Sequence, residues 1–137
     1  MNVSHQLADS TVFDLSGFPL IVARNEAIAP GYAAAWEQDM NALLESDAPF
    51  VLLFISPRPE ETHEDRKRRG MWLKTNRDPL AKVCKALITV EPDEREREES
   101  KAGAAAIAKA FGIPLEAVAT LDDARQIGRQ LLAQGRD

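Results

Sequence analysis

The residues best suited to bind a ligand lie in the middle of the chain, within and just after the segment SPRPEETHEDRKRRG at positions 56–70. The candidate ligand or partner contacts are Ser56, Arg58, His63, Arg66, Arg69, Met71 and Trp72. Guanidinium groups bind phosphate or carboxylate through paired N–H donors, and an indole ring stacks on a planar ligand or on an arginine. The segment therefore predicts an anion site or a surface that contacts a partner.

The same segment is also typical of a solvated helix surface. Glu64 precedes Arg68 by four residues, and Asp65 precedes Arg69 by the same interval. Side chains four residues apart meet on a helix, so these two pairs could neutralise each other without any ligand. Helix surfaces with such alternating charges are the commoner of the two cases.

Other chemical signatures are weak. His5 and His63 are the two histidines, and neither has a second histidine or a cysteine near it, so no metal site is predicted. Cys84, the single cysteine, has no flanking histidine and precedes an apolar run, which favours a buried thiol over a nucleophile. The glycines form neither a G-x-G-x-x-G pattern nor a Walker-type loop. We therefore predict no catalytic residue, no metal and no cofactor.

The composition favours one globular domain. With 137 residues, 45% of them hydrophobic, the chain matches the usual size of a single domain and can form a core. We expect residues 1–10 to be frayed and residues 11–137 to form the domain. A net charge of −5 argues against nucleic-acid binding, and the longest apolar run, Phe50–Ile55, is too short to span a membrane. The N-terminus lacks a signal-peptide pattern, which predicts a cytoplasmic protein.

The elements that must position the candidate residues alternate between strands and helices. Short apolar runs predict strands near residues 12–15, 18–24, 50–55, 86–90 and 115–119. Apolar residues three or four apart predict four helices, which follow Pro30, follow Glu61, end before Gly112 and begin at Thr120. Asp78-Pro79 is expected to break or restart the second helix. This order predicts an α/β fold with a four- to five-stranded, largely parallel sheet.

Three stretches resemble the SpoIIAA-like fold of STAS domains and their relatives. Residues 18–44 read as a strand that runs into a helix with Trp36 at its centre, residues 49–55 as a fully apolar strand, and residues 85–90 as a strand followed later by a helix over 120–132. The resemblance implies a single SpoIIAA-like (STAS-like) domain that acts through protein contacts. Antagonists of anti-sigma factors in that family carry a phosphorylatable serine after the central strand. Ser56 is the nearest hydroxyl here, but Pro57 follows it and no Asp-Ser dipeptide occurs at this position, which is closer to the uncharacterised members.

Two classes of function remain open from the sequence. The first is a non-catalytic regulatory or protein-interaction domain that binds a protein partner or itself, as a homodimer, through the helix that begins near Glu61. The second is a small-ligand protein for an anion or an apolar molecule, or an enzyme, with a pocket between residues 56–70 and the sheet. Ligand crevices in such sheets lie beyond the carboxyl ends of the strands. Arg58, His63, Arg69 and Glu91 would face that crevice.

Overall fold

The apolar runs of the sequence form one five-stranded sheet. The computed structural model describes residues 12–57 and 59–134, and its strands are β1 (Phe13–Asp14), β2 (Leu20–Ala23), β3 (Phe50–Ile55), β4 (Cys84–Val90) and β5 (Leu115–Val118). The strands lie side by side in chain order, with β1 antiparallel to β2 and the other neighbours parallel. The predicted α/β class and largely parallel sheet are confirmed. The prediction for residues 1–10 lies outside the described residues.

The helices of the described chain are α1 (Ala33–Ser46), α2 (His63–Thr75), α3 (Arg77–Val83), α4 (Glu94–Phe111) and α5 (Leu121–Gln134). This is one more than predicted, because the segment after Glu61 divides at Asn76 into α2 and α3. Pro79 falls in the first turn of α3, where a missing N–H leaves no helical hydrogen bond unmade. None of these helices is long and apolar enough to cross a membrane.

The sheet separates two apolar cores. Since the strands advance in one direction, crossovers of one hand place α1 to α4 on one face. That face packs Trp36, Met40 and Leu43 of α1 against residues such as Leu52. On the other face, α5 covers the alternate strand residues, and Gly128 comes so close that an added Cβ would lie 2.8 Å from Leu20 Cδ2.

The ends of α4 and α5 carry the residue types that commonly cap helices. Gly112, after α4, has φ +70°, a left-handed conformation that glycine adopts without a side-chain clash. Thr120 accepts a hydrogen bond from the Asp123 N–H at 3.1 Å, as expected of the residue that caps α5. Asp93 does the same for the Glu96 N–H at 2.9 Å at the start of α4.

Candidate functional site

A cavity of about 420 Å³, called here the sheet cavity, lies between the sheet and helices α1, α2 and α4. Its floor consists of two rows of side chains that run across the parallel strands β3, β4 and β5. The first row is Leu52, Leu87 and Leu115, and the second is Phe54, Thr89 and Ala117. The strand register aligns the residues of each row, because neighbouring residues in a parallel ladder point to the same face.

One side of the sheet cavity is formed by α4. Its lining residues Ser100, Ala104, Ile107 and Phe111 follow one another at intervals of four, three and four, and so share one face of the helix. No residue of α4 is buried, and Ile107 is 46% exposed. The helix therefore stands over the sheet without filling the space beneath it.

The inner strand β4 shows this incomplete coverage. Ala86, Ile88 and Val90, which point toward α5, are buried. Leu87 and Thr89 point toward the sheet cavity and are only half-buried, although they belong to an inner strand. A helix packed directly on them would remove both from solvent, as α5 does on the opposite face. A mainly apolar surface on an inner strand is therefore left accessible.

Three polar side chains lie together in the wall, and we call them the polar cluster: Tyr32, Glu61 and Arg69. Tyr32, directly before α1, donates its hydroxyl hydrogen to Glu61 Oε2 at 2.6 Å. Arg69 on α2 donates to the same carboxylate from Nη2 at 2.6 Å and from Nε at 3.2 Å. The Glu61 side chain is 12% exposed and the Arg69 side chain 31%. A bidentate guanidinium–carboxylate pair is thus held at the edge of an apolar space.

Charges and burial in the cluster set its ionisation. The hydrogen bond from Arg69, helped by that from Tyr32, lowers the pKa of Glu61 to about 2 against the opposing effect of burial. Burial and the bond to Glu61 raise the pKa of Tyr32 to about 12. The bond to Glu61 raises the pKa of Arg69. Near neutral pH the cluster therefore consists of a carboxylate, a guanidinium and a neutral phenol.

Of the seven candidate contact residues, Arg69 alone among those described lines the sheet cavity. Arg66 is 68% exposed, with Nε 3.5 Å from Glu61 Oε1. His63 is exposed at the first position of α2, and Met71 is 62% exposed. Arg58 lies outside the described residues.

Ser56 and Trp72 have structural partners instead. The Ser56 hydroxyl donates to Glu91 Oε1, which joins the ends of β3 and β4. Trp72 is 7% exposed; its ring meets that of Trp36 edge-on at 5.2 Å and its Nε1 donates to Asn41 Oδ1 at 2.9 Å. Its burial removes the indole from the predicted partner surface, because the apolar face of α2 turns toward α1.

The charge pairs expected within α2 are replaced by contacts with α1. Arg68 Nη2 binds Glu37 Oε2 at 2.9 Å rather than Glu64. Asp65 is buried rather than paired with Arg69, and its carboxylate accepts from the Gly31 N–H at 2.8 Å and the Ala33 N–H at 3.3 Å. Ala33 is the first residue of α1 and Gly31 lies two residues before it, so a side chain of α2 caps the start of its neighbour.

Cys84 lies in the core, as predicted. The side chain is 1% exposed, and burial raises the pKa of its thiol to about 12. Within residues 12–57 and 59–134, no group of three or more histidine, cysteine or acidic side chains is placed to hold a metal ion.

Three contributions to the site are absent from the sequence-based expectations. Tyr32 and Trp36 are not among the predicted contact residues, but both line the sheet cavity. Glu61 was predicted only as the position near which a helix begins, and its carboxylate organises the polar cluster. The stripe that begins at Ser100 on α4 carries a readable helical spacing, yet that spacing alone does not reveal whether the stripe meets a sheet or an open space.

Comparisons with models of protein families, with curated proteins and with solved structures gave no match to this chain. Function is therefore inferred from the geometry of the site itself.

Proposed function

We propose that this protein binds a small apolar molecule in the sheet cavity. The observation that carries the proposal is the half-buried pair Leu87 and Thr89 in an inner strand, beneath a helix with no buried residue. Water next to such a surface is released when an apolar ligand covers it, which favours binding. This proposal develops the second function class open from the sequence.

The dimensions of the sheet cavity support a ligand of ordinary metabolite size. Its volume of about 420 Å³ lies within the range of roughly 300–1,000 Å³ that is usual for small-molecule sites. Its lining is mainly apolar, with a few polar groups gathered in one place, which is the usual composition of such sites. The sheet cavity lies along one face of the sheet, whereas the crevice expected from the sequence lies beyond the strand ends. The segment after β3 still contributes to the wall of the sheet cavity, through Pro59, Glu61 and Arg69.

The proposal includes a SpoIIAA-like fold for the domain. The sequential strand order, with a helix after each of β2, β3 and β4, supports this assignment. Fold alone carries no activity, so the ligand is argued from the cavity. We infer a non-catalytic, cytoplasmic binding protein.

Titration with N-phenyl-1-naphthylamine, an uncharged apolar fluorophore, tests the proposal. Because Trp36 lines the sheet cavity, we expect quenching of tryptophan emission and a saturable rise in fluorophore emission at one site per chain. The variant Ala104→Phe, which places a ring in the cavity, should abolish the response. Ala105→Phe on the exposed side of α4 is the matched control and should leave it unchanged. A response that does not saturate, or that is equal in both variants, would refute the proposal.

A protein-interaction role is the second candidate, and the exposed Met71 on α2 favours it. An apolar side chain that is 62% exposed beside charged residues is suited to the centre of a contact. We expect self-association in light scattering after size exclusion, and loss of it in Met71→Lys. A monomer at every concentration would contradict the homodimer.

A further inference from the structure

The polar cluster adds chemical selectivity to the sheet cavity. Among residues 12–57 and 59–134, Arg69 is the cationic residue in the cavity lining, and it is held in place by two hydrogen bonds to Glu61. A guanidinium has five N–H donors, so these two bonds and its proximity to the Tyr32 oxygen leave part of the donor set available. An oxygen atom on a ligand can accept from the remaining donors without displacing Glu61.

The groups in direct contact with Glu61 favour an anion, because two guanidinium groups meet one carboxylate there, while the neighbouring carboxylate of Asp65 is already held by the N–H groups of Gly31 and Ala33. Glu61 is flanked by two guanidinium groups, Arg69 at 2.6 Å and Arg66 at 3.5 Å, so one carboxylate faces two positive charges. The low pKa of Glu61 and the high pKa of Tyr32 leave that balance unchanged over a wide pH range. The described lining also contains the acidic residue Glu116, which lies on β5 at the opposite edge of the sheet from β1.

We propose that the ligand is an amphipathic carboxylate. Its apolar body lies on the rows of Leu87 and Thr89 beneath α4, and its carboxylate accepts hydrogen bonds from Arg69. Arg66 adds attraction from the surface. This inference rests on the proposed function, since it specifies the chemistry of the molecule in the same cavity. A carboxylate matches the planar fork of a guanidinium better than a single hydroxyl does.

Decanoate and 1-decanol, which share an apolar chain length and differ in the end group, test the inference by displacement of N-phenyl-1-naphthylamine. We expect decanoate to bind about tenfold more tightly than decanol, as a charge-assisted pair at a partly exposed site allows. In Arg69→Gln the preference should fall to about twofold or less. Arg68→Gln makes the same change of charge one residue away, outside the cavity, and should retain most of the preference.

Glu61→Gln provides a test that misfolding cannot imitate. The substitution removes the negative charge that offsets Arg69 and keeps an oxygen to accept from Tyr32. We expect decanoate affinity to rise about fivefold to tenfold while decanol affinity stays the same. A loss of decanoate affinity in this variant would contradict the inference.

The outcomes separate the two proposals. Equal binding of decanoate and decanol, or a decanoate preference that survives Arg69→Gln, would overturn the carboxylate inference and leave the apolar cavity intact. Failure of both compounds and of the fluorophore to bind would overturn the proposed function itself. Selective decanoate binding that depends on Arg69 supports both.

Discussion

Ala104→Phe should make the protein more stable while it removes ligand binding. Ala104 is half-buried on the inner face of α4 and lines the sheet cavity. Most substitutions of a small by a large residue destabilise a protein, because a packed core has no space for the added atoms. Here Ala104 borders the sheet cavity of about 420 Å³, so we expect the ring to be accommodated without displacing its neighbours.

The magnitude follows from comparison with Ala105→Phe. Both substitutions change the same helix by the same residue, so the difference in helix propensity cancels. Burial of a phenylalanine side chain contributes about 1.5–3 kcal/mol relative to exposure. Since Ala104 is half-buried, we take the lower end and expect the two variants to differ by about 1.5 kcal/mol in free energy of unfolding. For a chain of 137 residues this corresponds to roughly 5 °C in Tm.

Urea denaturation followed by circular dichroism measures this difference, because the signal does not depend on the tryptophans near the site. The expected order of midpoints is Ala104→Phe, then the unmodified protein, then Ala105→Phe. If Ala104→Phe is the least stable of the three, the space beneath α4 is filled in solution and the sheet cavity does not exist as described.

Three further predictions concern the frame of the site. Gly112→Ala should destabilise the protein by about 1–2 kcal/mol, because φ at Gly112 is +70°. Gly103→Ala inside α4 should stabilise the protein by about 0.5–1 kcal/mol. Thermal melts of the two variants and the unmodified protein measure both effects. The Gly31 N–H, with Thr62 and the Ala33 N–H, lowers the pKa of Asp65. The stabilisation from ionised Asp65 is therefore complete above its pKa in the unfolded chain, about 3.9, and is lost as pH falls through its pKa in the folded protein. Asp65→Asn should be less stable than the unmodified protein near pH 7. Urea titrations should show this difference shrinking toward pH 3. Cys84 should resist Ellman's reagent in the folded protein and react fully after denaturation, since its thiol is buried with a pKa of about 12.

The strands were predictable because runs of apolar residues indicate buried segments of the chain. The unbroken apolar run Phe50–Ile55 indicates a strand covered on both sides, and the structure places it inside the sheet. The division at Asn76 was harder to place, because Asp78-Pro79 signals a break within a few residues but not its position. The end of α4 was readable from Gly112, since glycine is favoured where the chain turns left-handed.

The site was only partly predictable because it depends on distances between elements. Arg69 was identified from its residue type, but its partner Glu61 lies before the helix begins, where helical spacing gives no guidance. Asp65 was expected to meet Arg69 on the same helix, and the N–H groups at the start of α1 attract it instead. The gap beneath α4 has no signature in the chain, because the same alanine-rich face could pack closely on a sheet.

The central claim is that an apolar ligand occupies the space between α4 and β4. Amide chemical shifts of the ¹⁵N-labelled protein, recorded during titration with N-phenyl-1-naphthylamine, test it most directly. We predict saturable shifts concentrated at residues 100–111 of α4 and at Leu87 and Thr89, with little change near Met71. Shifts centred on Met71, or an unaltered spectrum at fluorophore saturation, would contradict the account.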